Sequence, residues 1–126
     1  MSHIQVRKAD ITDLDALHRA VEALPGLTFD REAKRFRYYG GRTQPCDGKI
    51  SLSKQAFEIG LKKDGSKYNL QYDPFGGGKG MMKVVGTNCV NLLNEYNAQV
   101  VMDTLNRQGM RAVRQEVDGK IVVRTI

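Results

Sequence analysis

A β-hairpin in the middle of the chain constrains the fold more than any other part of the sequence. It reads QAFEIGLKKDGSKYNLQYD, residues 55–73. Large side chains occupy every second position of both arms: Phe57, Ile59 and Leu61, then Tyr68, Leu70 and Tyr72. A period of two places such side chains on one face of a strand. Because Asp64-Gly65 falls in the short connection, the segment predicts two antiparallel strands joined by a tight turn.

The first helix is predicted over TDLDALHRAVEALPG, residues 12–26, after a strand in SHIQVRKADI. Thr12 with Asp15 three residues later has the spacing of a capping box, which satisfies free amides at a helix start. Apolar residues then recur at three- and four-residue spacing and predict one buried face: Leu14, Leu17, Val21 and Leu24. Pro25-Gly26 ends the helix.

The second helix is predicted in TNCVNLLNEYNAQVVMDTLNRQG, residues 87–109, with Gly109 as its C-terminal cap. Its apolar residues have helical spacing: Cys89, Leu93, Tyr96, Val100 and Leu105. Asparagines weaken the first half and predict a late start or a bend: Asn88, Asn91, Asn94 and Asn97. A second hairpin, from Ala112 to Thr125, turns at Asp118-Gly119.

These elements, with strands between residues 27 and 53, give the order β-α-β-β-β-α-β-β. The order predicts an α+β domain with an antiparallel or mixed sheet of about five to six strands and two helices on one face. A ferredoxin-like core with additions is one arrangement that fits. The 126 residues predict a single domain.

Composition favours an ordinary globular protein with acidic partners. Hydrophobic residues are 40% of the chain, and 20 basic against 14 acidic residues give a net charge of +6. Such a charge favours nucleic acid, nucleotides or an acidic protein face as the partner. Without a membrane-spanning apolar run or a signal-peptide pattern, we expect no membrane partner and a cytosolic location.

No motif predicts catalysis, a cofactor or a metal. Cys46 and Cys89 are the only cysteines, too few for a structural zinc site. His3 and His18 have neither a nearby nucleophile nor metal-ligand spacing. An acidic cluster at the first helix start is explained by capping and the helix dipole: Asp10, Asp13 and Asp15. Glu58 interrupts an apolar strand arm, and alternation places it on the opposite, polar face.

Four segments carry a family resemblance when taken together in order. They are MSHI, YYGGRTQP, FEIGLKKDGSKYNLQYD and YNAQVVMDTLNRQGMRAVRQEVDGKIVVR. In this pattern the chain resembles the hypothetical chloroplast reading frame thirty-five family, found in cyanobacteria, plastids, other bacteria and phages. The resemblance implies kinship in fold but no activity. It also implies an accessory role beside an AAA-type ATPase and, for a phage protein, the host cytoplasm.

The glycine-rich loop DPFGGGKG, residues 73–80, departs from that family, whose members tend to carry a DWWG-like element there. Its spacing is neither GxxxxGK[ST] nor GxGxxG, and Met81 stands where a phosphate-binding loop needs a hydroxyl. Two interpretations stay open. A flexible joint is one. The other is a nest of amides that holds an anion with Lys79 and Lys83.

The strand AKRFRYYGGR, residues 33–42, alternates basic and aromatic side chains. Arg35, Arg37 and Arg42 are candidate phosphate ligands, and Tyr38 or Tyr39 is a candidate stacking residue, as in single-strand binders. The alternative is that Phe36 and Tyr38 face the core and the arginines are a solvated face. Four further arginines extend the positive surface if the fold brings them to the same side: Arg107, Arg111, Arg114 and Arg124.

Three functions follow as hypotheses. The first is a small basic, non-catalytic domain that binds an anionic ligand, either nucleic acid or a nucleotide-like phosphate. The second is a protein-protein adaptor, with an AAA-type ATPase as partner or with a homo-oligomer built on exposed strand edges. The third, an enzyme with dispersed catalytic residues, has no constellation of residues in its favour.

Overall fold

The computed structural model describes residues 4–55 and 57–126, which form an α+β fold. Its main sheet has five antiparallel strands: β1 (Gln5–Ile11), β2 (Leu27–Asp30), β5 (Lys49–Leu52), β6 (Ile59–Asp64) and β7 (Lys67–Tyr72). Their spatial order is β1-β7-β6-β5-β2. The remaining strands form two separate hairpins, one of β3 (Arg35–Arg37) with β4 (Thr43–Pro45), and one of β8 (Ala112–Val117) with β9 (Lys120–Thr125).

The central hairpin is confirmed as β6 and β7. Asp64 pairs with Lys67, so the two-residue turn is Gly65-Ser66. Gly65 has a φ of +62°, a value that favours glycine. The first arm begins at Ile59 rather than at Phe57, whose buried side chain lies outside the strand.

Three α-helices lie on one face of the sheet: α1 (Leu14–Glu22), α2 (Lys79–Val85) and α3 (Val90–Arg107). The two longer ones, α1 and α3, are the predicted helices, and α2 is a short addition. Side chains of all three join the sheet in one hydrophobic core, which includes Leu17, Leu61, Met81 and Leu92. The predicted layer of helices on one face is confirmed.

The start of α1 differs from the predicted capping box. The cap is Asp13, whose Oδ1 accepts a hydrogen bond from the Ala16 amide at 3.0 Å. The hydroxyl of Tyr96 on α3 accepts from the amides of Thr12, at 3.0 Å, and Asp13, at 3.2 Å. Thr12 therefore precedes the cap, because α3 already satisfies the amides that lead into the helix.

The ends of α3 follow the predicted pattern. A break at Gly86 and a 3₁₀ turn over Thr87–Cys89 delay its start to Val90. At the other end Gly109 has a φ of +80°, and the Met110 amide donates to the Leu105 carbonyl at 3.0 Å. This bond satisfies a carbonyl that the helix leaves free, so Gly109 acts as the terminator.

The β3–β4 hairpin covers the second face of the sheet. Phe36, fully buried, lies against Gly60 of β6. A Cβ atom at Gly60 would come within 2.3 Å of the Phe36 ring, so only glycine leaves room for it. Gln71 on β7 accepts from the Gln44 amide at 2.7 Å and donates to the Pro45 carbonyl at 3.2 Å. Apolar contact and amide pairing together hold this hairpin on the sheet.

The β8–β9 hairpin stands outside the main sheet and packs on α3. Val117 pairs with Lys120, so Asp118-Gly119 forms the predicted turn, with φ values of +52° and +76°. Positive φ at both turn residues is the signature of a tight hairpin turn. Arg114 of β8 anchors the hairpin through its ion pair with the buried Glu95 of α3.

Candidate functional site

The β3–β4 hairpin carries five of the seven side chains that the sequence nominates for ligand binding. They are Arg35, Arg37, Tyr38, Tyr39 and Arg42. Phe36 points to the sheet, and its two neighbours on β3 therefore point to solvent, as alternation requires. Between the strands the chain forms a 3₁₀ turn over Tyr39–Gly41. The hairpin thus presents basic and aromatic side chains together.

The two tyrosines have different environments. The ring of Tyr38 is half-buried, with its centroid 6.1 Å from that of Phe36. Tyr39 is 44% exposed on the turn. Tyr38 therefore extends the packing beneath the hairpin, and Tyr39 is the side chain with a face free for stacking on a base.

The three arginines differ in how far they are engaged. Arg35 donates to the hydroxyl of Thr43 at 2.8 Å and to its carbonyl at 3.2 Å. Arg37 binds the carboxylate of Glu58. Arg42 is exposed, and its guanidinium has no partner among the described residues. Arg42 therefore carries the charge most available to an anion.

Glu58 lies on the second face of the sheet, as predicted, but it is buried beneath the β3–β4 hairpin. Its side chain is 1% exposed. The carboxylate accepts from the Arg37 amide at 2.8 Å, from the Ser51 hydroxyl at 2.8 Å and from Lys49 Nζ at 3.0 Å. Burial opposes ionisation, but these hydrogen bonds outweigh it and hold the pKa of Glu58 below its ordinary value. Glu58 is a charged structural group.

The glycine-rich loop packs closely against its surroundings. A flexible joint does not require such close contacts. Gly76–Gly78 form a 3₁₀ turn that leads directly into α2. A Cβ atom would come within 2.7 Å of the Phe57 ring at Gly77 and within 1.8 Å of the Asp73 carbonyl at Gly78. Close packing therefore accounts for these glycines without a phosphate ligand.

Lys79 and Lys83 lie one turn apart on the exposed side of α2. The segment 57–58 lies between this helix and the β3–β4 hairpin. On one side the Glu58 amide donates to the Arg37 carbonyl at 2.9 Å. On the other side the Phe57 ring packs against Gly77 and Gly78. Because α2 packs on the helical face and the hairpin covers the opposite one, the two nominated groups of basic residues lie on different faces of the sheet and are connected through this segment.

The distribution of charge favours the same part of the chain. Residues 33–86, from the strand β3 through α2, contain 11 basic and four acidic residues, a net charge of +7. The other 72 residues contain nine basic and ten acidic ones, a net charge of −1. The positive charge of the protein therefore belongs to the part of the chain that carries the nominated residues.

The arginines near the C-terminus do not extend this surface. They belong to α3, to the β8–β9 hairpin and to the connection between them, on the helical side of the sheet, while the β3–β4 hairpin covers the opposite face. Arg114 is held by Glu95 and Glu116. The condition for a shared positive surface is not met, because the fold does not bring these arginines to the side of Arg35, Arg37 and Arg42.

The remaining titratable side chains have structural roles. His18 pairs with Glu22, while Asp13 caps α1 and Asp15 pairs with Arg31. Burial raises the pKa of the Cys89 thiol to about 12. His3 lies outside the described residues. Within residues 4–55 and 57–126, no three His, Cys, Asp or Glu side chains are grouped as metal ligands.

A cleft between α3 and the β8–β9 hairpin has a volume of about 710 Å³ and lies apart from the nominated residues. The sequence analysis missed it. Its only signal in the sequence is the three-residue spacing of the asparagines in α3, a residue type that by itself indicates only a weak helix. The cleft exists only because the hairpin folds back onto α3, which the order of elements does not determine.

Comparison of the chain with models of protein families, with curated proteins and with solved structures gives no match. The resemblance to the chloroplast reading frame family thus stays a prediction. None of the helices in the described part of the chain is long and apolar enough to cross a membrane.

Proposed function

We propose that this chain is a non-catalytic binding domain for single-stranded nucleic acid and that the β3–β4 hairpin is its contact surface. One observation carries the proposal: Tyr39 and Arg42 flank one exposed turn, with the Arg42 amide donating to the Tyr39 carbonyl at 3.2 Å. One short turn thus carries an exposed ring and an uncompensated guanidinium, the two groups that a nucleotide needs, because the base stacks and its phosphate binds the cation.

The other nominated residues support this contact. Arg35 and Arg37 lie on β3 before the turn, and each keeps an exposed side chain while it is oriented by a neighbour. Lys79 and Lys83 of α2 supply a second group of charges beyond the segment 57–58. A single nucleotide also has a base that can stack and a phosphate that can bind a cation.

Fluorescence anisotropy with labelled single-stranded RNA and DNA tests the proposal. We expect binding that weakens as salt rises, because each phosphate contact releases counterions. Arg42→Ala should lower the slope of log K against log salt by about 0.7, and Tyr39→Ala should weaken binding about tenfold with little change in that slope.

The matched control is Arg111→Ala, which removes the same charge from an exposed position on the helical side of the sheet. It should change the affinity less than Arg42→Ala. Equal effects of the two substitutions would mean that only net charge matters. No binding of either nucleic acid at low salt would exclude the nucleic-acid function.

A second candidate is an adaptor or a homo-oligomer, and the β8–β9 hairpin favours it. This sheet has only two strands, so each has an edge without a strand partner. Val117 and Met110 beside it are 40% and 47% exposed. An open edge is a template for a strand of another chain, including the ATPase that the family resemblance implies.

Light scattering and pull-down test the adaptor and oligomer functions. A protein that stays monomeric at all concentrations and retains no other protein contradicts both.

A further inference from the structure

We infer that the cleft between α3 and the β8–β9 hairpin is a binding site for a small neutral molecule. The ligand would have an amide-like edge, with a hydrogen-bond donor beside an acceptor, and an apolar body. The site is on the helical side of the sheet and does not depend on the proposed nucleic-acid surface. Its volume, about 710 Å³, falls within the range of small-molecule sites.

One wall of the cleft supplies unused hydrogen-bonding groups. Asn94 and Asn97 line it from α3, and their side-chain amides make no hydrogen bond to any described residue. Asn91, one turn earlier, donates to the Val84 carbonyl at 3.3 Å. Each carboxamide offers a donor and an acceptor, so neighbours three positions apart on a helix match a ligand that carries both.

The opposite and deeper surfaces are apolar. Ala98 and Val101 continue the same stripe of α3, and Val101 is 46% exposed although it faces the cleft. Ile121 and Val123 of β9 face them and are only half-buried. Apolar side chains that the fold leaves partly exposed within a concavity gain burial when a ligand enters. The cleft therefore has the mixed lining of a ligand site.

The charges around the cleft favour a neutral ligand. Glu95 and Glu116 lie in its lining, and Arg114 binds both carboxylates. Lys120 is the other charged residue of the lining. The four groups sum to zero, and Glu95 with Arg114 are already paired. Lys120 is exposed and has no side-chain partner among the described residues, but with the paired groups the cleft has no net charge that would select an anion or a cation. The asparagine amides are free to bind a neutral group.

Asparagine at these positions has no structural use that the fold reveals. Asn94 and Asn97 lie inside the helix, away from its ends, where asparagine is a weak helix former. They serve neither as caps nor as turn residues, which are the usual roles of this side chain. Both side chains are exposed, so their amides are open to a ligand in the cleft.

Two kinds of molecule carry the required edge, a nucleobase and a peptide-like amide, and NMR distinguishes them. The full chain, labelled with ¹⁵N, is titrated separately with adenosine and with N-acetyl-leucinamide. We expect one probe to shift the side-chain amide signals of Asn94 and Asn97 until saturation. The amide of Asn106, on the last turn of α3 outside the cleft, should not shift.

The paired substitution Asn94→Ala with Asn97→Ala should reduce the affinity of that probe at least tenfold. Alanine is the better helix former, so the variant stays folded. The control Asn106→Ala should bind as the parent does. The proposal is overturned if neither probe shifts the Asn94 and Asn97 signals, if the shifts lie outside the cleft, or if the paired variant binds unchanged.

Discussion

The carboxylate of Glu58 accepts a hydrogen bond from the backbone amide of Arg37 at 2.8 Å, and the Glu58 amide donates to the Arg37 carbonyl at 2.9 Å. The side chain of Arg37 also donates a hydrogen bond from its Nε to Oε1 of this carboxylate, at 3.3 Å. The exposed end of β3 is thus fixed to the main sheet through a buried charge. This attachment gives the candidate binding hairpin a defined position on a rigid support.

Replacing Glu58 with alanine should destabilise the protein by about 3 kcal/mol. The substitution removes a buried carboxylate and leaves Lys49, Ser51 and the Arg37 amide without their acceptor. Urea unfolding followed by circular dichroism measures the change. Glu32→Ala, at an exposed position, is the control and should change stability by less than about 0.5 kcal/mol. A similar loss for both variants would contradict the anchoring role.

Stability should fall in acid through Glu58. Its hydrogen bonds hold its folded-state pKa below the ordinary value of 4.5. A depressed carboxyl pKa contributes stability above the unfolded value, and that contribution is lost as pH falls through the folded pKa. Urea midpoints measured downward from neutral pH should therefore decline below about pH 4.5. Glu58→Gln should show a shallower decline, and an unchanged pH profile would refute this assignment.

Gly78→Ala should destabilise the protein by about 3 kcal/mol. The φ of Gly78 is −80°, which alanine adopts freely, so the penalty is steric. Its Cβ atom would lie 1.8 Å from the Asp73 carbonyl oxygen. Thermal melting measures the effect. If the loop is instead a flexible joint, the alanine variant will melt within a degree or two of the parent.

Gly60 and Phe36 should be coupled. Gly60→Ala displaces the Phe36 ring from the second face of the sheet, and Phe36→Ala alone should cost about 3 to 4 kcal/mol. In the double variant the new methyl group occupies part of the vacated space. The combined loss should therefore be smaller than the sum of the single losses by about 1 kcal/mol or more. Additive losses in urea unfolding would show that the contact does not hold the hairpin.

The elements that local pattern predicts are those whose side chains have one strong periodicity. The β6–β7 and β8–β9 hairpins, α1 and the terminator Gly109 all follow from alternation, helical spacing or turn residues. The cap of α1 is Asp13, one residue after the predicted Thr12, whose amide is bound instead by Tyr96, a residue distant in sequence. The short α2 has no long apolar stripe, and the glycines of the turn before it are required by close contacts with Phe57 and Asp73, which the local sequence does not reveal.

The candidate sites also have some features that the local sequence predicts and others that depend on tertiary contacts. Sequence alone nominates Arg35, Arg37 and Arg42, because basic and aromatic residues alternate locally along one strand. It also determines the α+β class, through the periods of two and of three to four residues. Tertiary structure decides that Arg42 is unpaired while Arg37 is held by Glu58, and that Asn94 and Asn97 face a cleft. These outcomes depend on contacts between residues far apart in the chain, which no local pattern encodes.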